Sequence, residues 1–184
     1  MTGGPLPLPD PPIRTPRLLL RAWQPDDADA LVAAWADPEV RRWTGVPERP
    51  DRATAAAWIG RTPALRDAGR SLDLVIDVDG AVAGEVGVVV ATDDERRSGE
   101  IGWWLAPDHR GRGLASEAVD AFTGWLLGPA GPDVAEVVAR CATANPRAGR
   151  VAAAAGFHLE PASGDPEVEL WRAGARPGAG TLHT

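Results

Sequence analysis

The sequence has no tyrosine and a single cysteine, Cys141. One cysteine excludes an intramolecular disulfide and a multi-cysteine metal site, so no metal is expected. No window approaches the roughly eighteen uninterrupted apolar residues of a membrane helix. The opening MTGGPLPLPDPP has neither the basic nor the apolar region of a secretory signal. Positive charge is scarce as well. The 19 Lys+Arg, all of them arginine, face 26 Asp+Glu, for a net charge of −7. That balance argues against a nucleic-acid binder, because neutralising phosphates needs a basic face. It serves solubility, or it draws in a cationic partner. These absences predict a cytoplasmic protein with no membrane or nucleic-acid partner.

What remains suits one domain. A length of 184 residues with 44% hydrophobic composition supplies a real core. Proline density predicts an extended tail without core contacts over 1–12, and Gly/Pro density predicts a flexible tail over 174–184. The folded unit is then 13–173. IRTPRLLLRAW predicts a first strand. Pro25 with Asp26, Asp27 and Asp29 predicts a helix start. A second helix is expected over about 51–68, broken or kinked at Pro63. Leu72, Leu74, Ile76 and Val78 alternate with polar residues, and Asp79-Gly80 signals a two-residue hairpin. A polar loop, TDDERRS, should precede a strand from Gly99. Leu114, Ala118, Phe122, Trp125 and Leu126 recur at helical spacing. The strand DVAEVVARCATA, a short helix after Asn145-Pro146 and two closing strands complete the chain. The order β α α β β β α β α β β predicts a mixed sheet with helices on both faces, an α/β or α+β class domain.

Chemistry concentrates at PDHRGRGLA, residues 107–115. It lies between the strand residues EIGWWLA and a helix, where amides lack partners and the helix dipole is positive. Gly111 and Gly113 remove side chains that would block close approach, while Arg110 and Arg112 add charge. A phosphate site or a plain exposed turn both fit that spacing. No Gly-Lys-Ser/Thr follows, so it is not a P-loop, and no G-x-G-x-x-G is present.

The pattern Arg110-x-x-Gly113-x-Ala115 after WWLAP resembles the acetyl-CoA loop, Q/R-x-x-G-x-G/A, of the GNAT N-acetyltransferase superfamily. Four stretches in order resemble its RimJ/RimL-type branch: RTPRLLLR at 14–21, GEIGWWLAPDHRGRGLASEA at 99–118, the Asn145 region, and AAGF at 154–157. Together they span nearly all of 13–173. The resemblance implies the GNAT fold, a central mixed, mostly antiparallel sheet of six to seven strands. It implies acetyl transfer from acetyl-CoA, as cosubstrate, to a primary amine: a protein N-terminus or a small amine. By the same resemblance, amides of Gly111, Arg112, Gly113, Leu114 and Ala115 hold the pyrophosphate. The strand Trp103, Trp104, Leu105, Ala106 splays from residues 137–142 and receives the pantetheine arm. The Leu105 amide polarises the thioester carbonyl, and Asn145 meets the arm. A homodimer is common in the family.

Proton transfer needs a base. Glu100, on the strand leading to the thioester, is the first candidate, and Glu85 on the preceding strand is the second. Either, taken singly, also reads as a solvated strand-face carboxylate. The acid is missing. The family tyrosine has no counterpart, and Ala148 stands where the RimJ/RimL-type pattern N-x-x-S has serine. A thiolate leaves near neutral pH without one, since a free thiol has a pKa of about 8.5. Cys141 reads as a small buried hydrophobe, His109 and His158 as structural or exposed, and Asp93, Asp94 and Glu95 as a solvated loop. Trp43, beside Arg41 and Arg42, is a candidate wall of the acceptor pocket. Two other readings stand beside the transferase: a GNAT module that binds CoA without turnover, and an unrelated nucleotide-phosphate-binding domain.

Overall fold

The computed structural model describes residues 4–93, 96–161 and 165–173. The predicted first strand divides into a hairpin of β1 (Ile13–Arg14) and β2 (Leu19–Ala22). A 3-10 turn at Pro25–Asp27 leads into α1 (Ala28–Ala36). A helix absent from the sequence prediction, α2 (Pro38–Trp43), follows at once. Its start signals were present: Pro38 is in its first turn, and Asp37 Oδ1 accepts from Val40 N at 3.0 Å as a cap.

The next helix, α3 (Arg52–Asp67), runs through Pro63 without a break, contrary to expectation. A proline at 63 leaves the carbonyl of residue 59 without its helical donor. The Thr62 hydroxyl replaces that donor, reaching Ile59 O at 2.9 Å.

Then come β3 (Ser71–Val78), β4 (Ala81–Asp93) and β5 (Arg96–Leu105), linked as antiparallel neighbours. The predicted Asp79-Gly80 turn forms with φ of 53° and 85° at its two residues. Strand pairing from Asp93↔Arg96 onward occupies most of the expected TDDERRS loop. Asp94 and Glu95 lie outside the described residues. The chain continues through α4 (Leu114–Leu126), β6 (Val134–Ala142), α5 (Pro146–Ala154), β7 (Phe157–Leu159) and β8 (Val168–Ala173). The sheet has eight strands in the order β1-β2-β3-β4-β5-β6-β8-β7. Among the described residues only β5 and β6 pair in parallel, across the α4 crossover.

Alternation along the strands feeds two cores. Leu72, Leu74 and Ile76 of β3 face α4, where Ala118, Val119 and Phe122 are fully enclosed. Val75 and Trp104 face the other way, onto Leu31, Trp35, Val40, Ala55 and Ile59 of α1–α3. Each such large side chain contributes about 1.5–3 kcal/mol by leaving water. The predicted tail at 1–12 needs correcting at Leu6. That residue is 2% exposed in the main core, and its amide donates to Arg66 O at 2.9 Å. A single leucine with a backbone anchor outweighs the proline density around it. The predicted tail at 174–184 lies outside the described residues.

Candidate active site

The cross-strand register builds a grid on the sheet face beneath α1–α3. One row is Val75–Glu85–Trp104, the next Asp73–Gly87–Gly102, the next Ser71–Val89–Glu100. Two paired glycines leave the middle row bare, with Asp73 at its end. A Cβ on Gly87 would stand 2.5 Å from Asp73 Oδ1, so only glycine leaves that carboxylate its place. Trp35, Thr44, Gly45 and Trp58 roof this floor to form a cleft of about 230 Å³. Val89, 62% exposed, gives it an apolar lip.

Glu85 is half-buried in the wall of the cleft. Its Oε2 accepts from Trp23 Nε1 at 2.9 Å and its Oε1 from Trp104 Nε1 at 3.2 Å. The indoles are held in turn: Trp23 meets Trp58 edge-on at 5.6 Å, and Trp58 meets Trp35 at 6.2 Å. Burial, reinforced by the nearby Asp73 charge, pushes the Glu85 carboxyl up to about 8 against the two indole hydrogen bonds. Burial also raises Asp73, opposed by the Ser71 hydroxyl and the Arg61 charge.

Beside the cleft the sheet opens. Pairing between β5 and β6 ends at Glu100↔Val138, although β5 runs on to Leu105 and β6 to Ala142. Ala106 N donates back to Ala83 O on β4 at 2.8 Å. Consecutive amides of a strand face opposite edges, so those of Leu105 and Trp103 face the gap.

At the mouth of the gap lies the glycine loop. Gly111 and Gly113 take φ of 75° and 76°, a left-handed conformation that favours glycine. Gly113 caps α4 without a side-chain hydrogen bond. The next amides, Leu114 to Ser116, therefore have no intrahelical acceptor and sit at the positive end of a helix of 13 residues. Arg17 braces the loop: its Nη1 donates to Arg112 O at 2.8 Å, and its Nη2 lies 2.5 Å from Glu117 Oε2.

The model of the acetyltransferase (GNAT) domain matches residues 17–158. The chain belongs to the GNAT acetyltransferase family. The uncharacterized N-acetyltransferase p20 of Bacillus licheniformis is 34% identical over 107 residues, 57% of this chain and 60% of that protein's length. The uncharacterized N-acetyltransferase YoaA of Bacillus subtilis strain 168 is 27% identical over 152 residues, 82% of this chain and 84% of that one. Among solved structures, RimL, the ribosomal L7/L12 α-N-protein acetyltransferase in complex with coenzyme A, superposes with a TM-score of 0.74. It shares 19% identity and covers 88% of this chain and 96% of its own.

Within this GNAT fold the expected site residues divide into groups. Trp103 to Ala106 border the gap, Gly111 to Ala115 form the loop at its mouth, and Glu85 lines the cleft. Asn145 caps α5 beyond the end of β6. Glu100 lines the same cleft at the splay point; it is exposed and ion-paired with Arg140 at 3.0 Å. The Arg110 guanidinium turns inward to Leu105 O and Asp37. Trp43 does not line the cleft; its neighbours Thr44 and Gly45 do, while Trp43 donates to Glu39 at 3.3 Å. Cys141 is buried, and burial pushes its thiol up to about 11. Ala148, at the family serine position, packs on the main core. His158 is exposed.

Sequence reasoning missed Trp23, Asp37 and Asp73. Trp23 had a signal, standing two residues beyond the RTPRLLLR stretch, and Asp37 had one as the cap before Pro38; Asp73 had none.

Proposed function

We propose that the protein transfers an acetyl group from acetyl-CoA to a primary amine, with Glu85 as the general base. The observation that carries this reading is the splay of β5 from β6 above a bare, left-handed glycine loop. The loop fits a pyrophosphate: amides from Gly111 to Ala115 have no side chain in their way at Gly111 and Gly113, and they open a helix. Acetyl-CoA supplies an activated acyl group on a thiol that leaves near neutral pH.

The residues divide the remaining work. The Leu105 amide, facing the gap, donates to the oxygen that gains charge during attack. Glu85 takes the proton that the attacking nitrogen must lose. An α-amino group has a reference pKa near 7.7–8.0, close to the value of about 8 at Glu85. Proton transfer between such partners is nearly balanced, which suits a base at neutral pH. That match favours Glu85 over Glu100, whose charge Arg140 already neutralises in solvent. It also favours weakly basic amines such as peptide α-amines and small amines of similar pKa. The Trp walls hold the apolar part of the acceptor, and the rest leaves over Val89.

Isothermal titration with acetyl-CoA and with ATP, followed by a thiol-release assay over N-terminal peptides and small amines, tests the reading. Acetyl-CoA should bind, ATP should not bind in its place, and at least one amine should release thiol above hydrolysis. Absence of acetyl-CoA binding sinks it.

A further inference from the structure

Arg110 belongs to the loop by sequence, yet its guanidinium is committed elsewhere. Its Nε donates to Leu105 O at 2.9 Å, and its Nη2 donates to Asp37 Oδ1 at 2.5 Å. The peptide that carries the Leu105 carbonyl is the one whose amide, Ala106 N, donates to Ala83 O at 2.8 Å. That peptide is thus clamped at both edges, by β4 and by Arg110. Asp37 in turn caps α2 through Val40 N at 3.0 Å. The residues that follow α2, Thr44 and Gly45, roof the cleft. One side chain therefore links the strand end that borders the gap to the helix that leads into the roof of the cleft.

We infer that Arg110 is a positioning residue rather than a phosphate ligand. Through Leu105 and Asp37 it holds the gap and the roof of the acceptor cleft in one register, so that filling the glycine loop also orders α2. This inference rests on the acetyl-transfer reading above.

Three observations favour it. The Asp37 side chain is 12% exposed in this pair and that of Arg110 30%, so both are mostly withdrawn from solvent. Pulling the guanidinium over to a phosphate would strand a largely buried carboxylate, which is costly. The Arg110 hydrogen bond holds the Asp37 carboxyl below its ordinary value, so Asp37 stays ionised at neutral pH. Finally, the backbone and the helix dipole already supply the loop's anion-binding groups without a side chain.

The test uses R110Q, R110K and D37N in the full chain. Asparagine remains a helix cap, so D37N removes the charge while sparing α2, and thermal melting confirms that each variant folds. Isothermal titration with CoA should give a dissociation constant within a few-fold of wild type for all three. Loss of a charged phosphate contact would instead weaken it roughly 10- to 100-fold. With an amine identified by the thiol-release panel, kcat should fall roughly 10- to 100-fold in both R110Q and D37N. The double variant should be no worse than either single one. R110K should resemble R110Q, because an ammonium cannot span Leu105 O and Asp37 as a planar fork does.

A second readout needs no acceptor. CoA binding should slow amide hydrogen exchange over 38–45 in wild type and not in D37N. Equal slowing in both, or CoA affinity lost in R110Q and restored in R110K, overturns the inference. If wild type binds no CoA at all, the acetyl-transfer reading falls and takes this inference with it. If it binds CoA without slowing exchange at 38–45, only the inference falls.

Discussion

Glu85 and Trp104 stand opposite each other across the β4–β5 register, and the Trp104 indole N–H donates to Glu85 Oε1 at 3.2 Å. The bond holds the carboxylate in the cleft wall, with one oxygen toward β5 and the gap beyond it. With the Trp23 indole on the other oxygen, the carboxyl stays in one orientation whether charged or neutral. E85Q keeps an oxygen for one indole and removes the base. We expect kcat to fall on the order of 10²–10⁴-fold, with CoA affinity within a few-fold. In wild type the acceptor kcat/KM should rise with pH through about 8, where Glu85 ionises. With an acceptor amine of pKa well below 7, already neutral across this range, that limb should vanish in E85Q. E100Q, which loses an exposed ion pair, should change rates by less than about five-fold, as expected of a contact of under 1 kcal/mol. The assignment reverses if E100Q loses the limb and E85Q keeps it.

The same carboxyl has a stability consequence. Glu85 titrates at about 8 in the folded chain against an ordinary value of 4.5. Between those values the folded state holds a proton that the unfolded state has lost. Stability from this group is therefore complete below about pH 4.5 and falls as pH rises toward about 8, after which it levels off. Melting temperatures from pH 5 to 8.5 should decline less steeply in E85Q than in wild type. Parallel curves would show that Glu85 is not held neutral.

The loop prediction rests on backbone rather than charge. Gly113 has φ of 76°, and a Cβ there would lie 3.6 Å from Arg17 Nη2, so space is adequate and the strain is conformational. G113A should cost about 1 kcal/mol of stability, as expected for a left-handed position. G113E adds bulk and negative charge where the pyrophosphate is proposed to sit. It should abolish CoA binding by isothermal titration while the circular dichroism spectrum stays folded. A folded G113E that binds CoA normally would remove the loop from the cofactor site.

Features set by neighbours in sequence were legible in advance. The Asp79-Gly80 hairpin, the stripe on α4 and the helix start after Gly113 each depend on local spacing. The loop and the end of the strand before it could therefore be placed from residues 99–118, and the parallel crossover once DVAEVVARCATA was read as the next strand. Features set across the sheet were not legible. Gly87 and Gly102 read as isolated glycines until the register makes them partners. Asp73 reads as the polar half of an alternating strand, and only the cross-strand glycine shows why it is tolerated. Glu85 and Glu100 look alike in sequence; two indoles from distant positions and an exposed arginine separate them. Proline density describes the neighbours of Leu6 and says nothing of where that one leucine docks.

Pro63 offers a test of local compensation free of the site. In α3 the missing amide at 63 leaves Ile59 O to the Thr62 hydroxyl at 2.9 Å. T62V keeps shape and removes that donor, so it should cost roughly 1 kcal/mol, or about 2–4 °C in melting temperature. P63A restores the helical donor and relieves a penalty of up to about 3 kcal/mol, so it should stabilise the protein. In the P63A background Ile59 O again has an amide, and the hydroxyl of Thr62 becomes redundant. T62V should then cost close to nothing. The interaction energy from this cycle is expected to be near 1 kcal/mol, while additive effects would mean that the hydroxyl does not stand in for the lost amide.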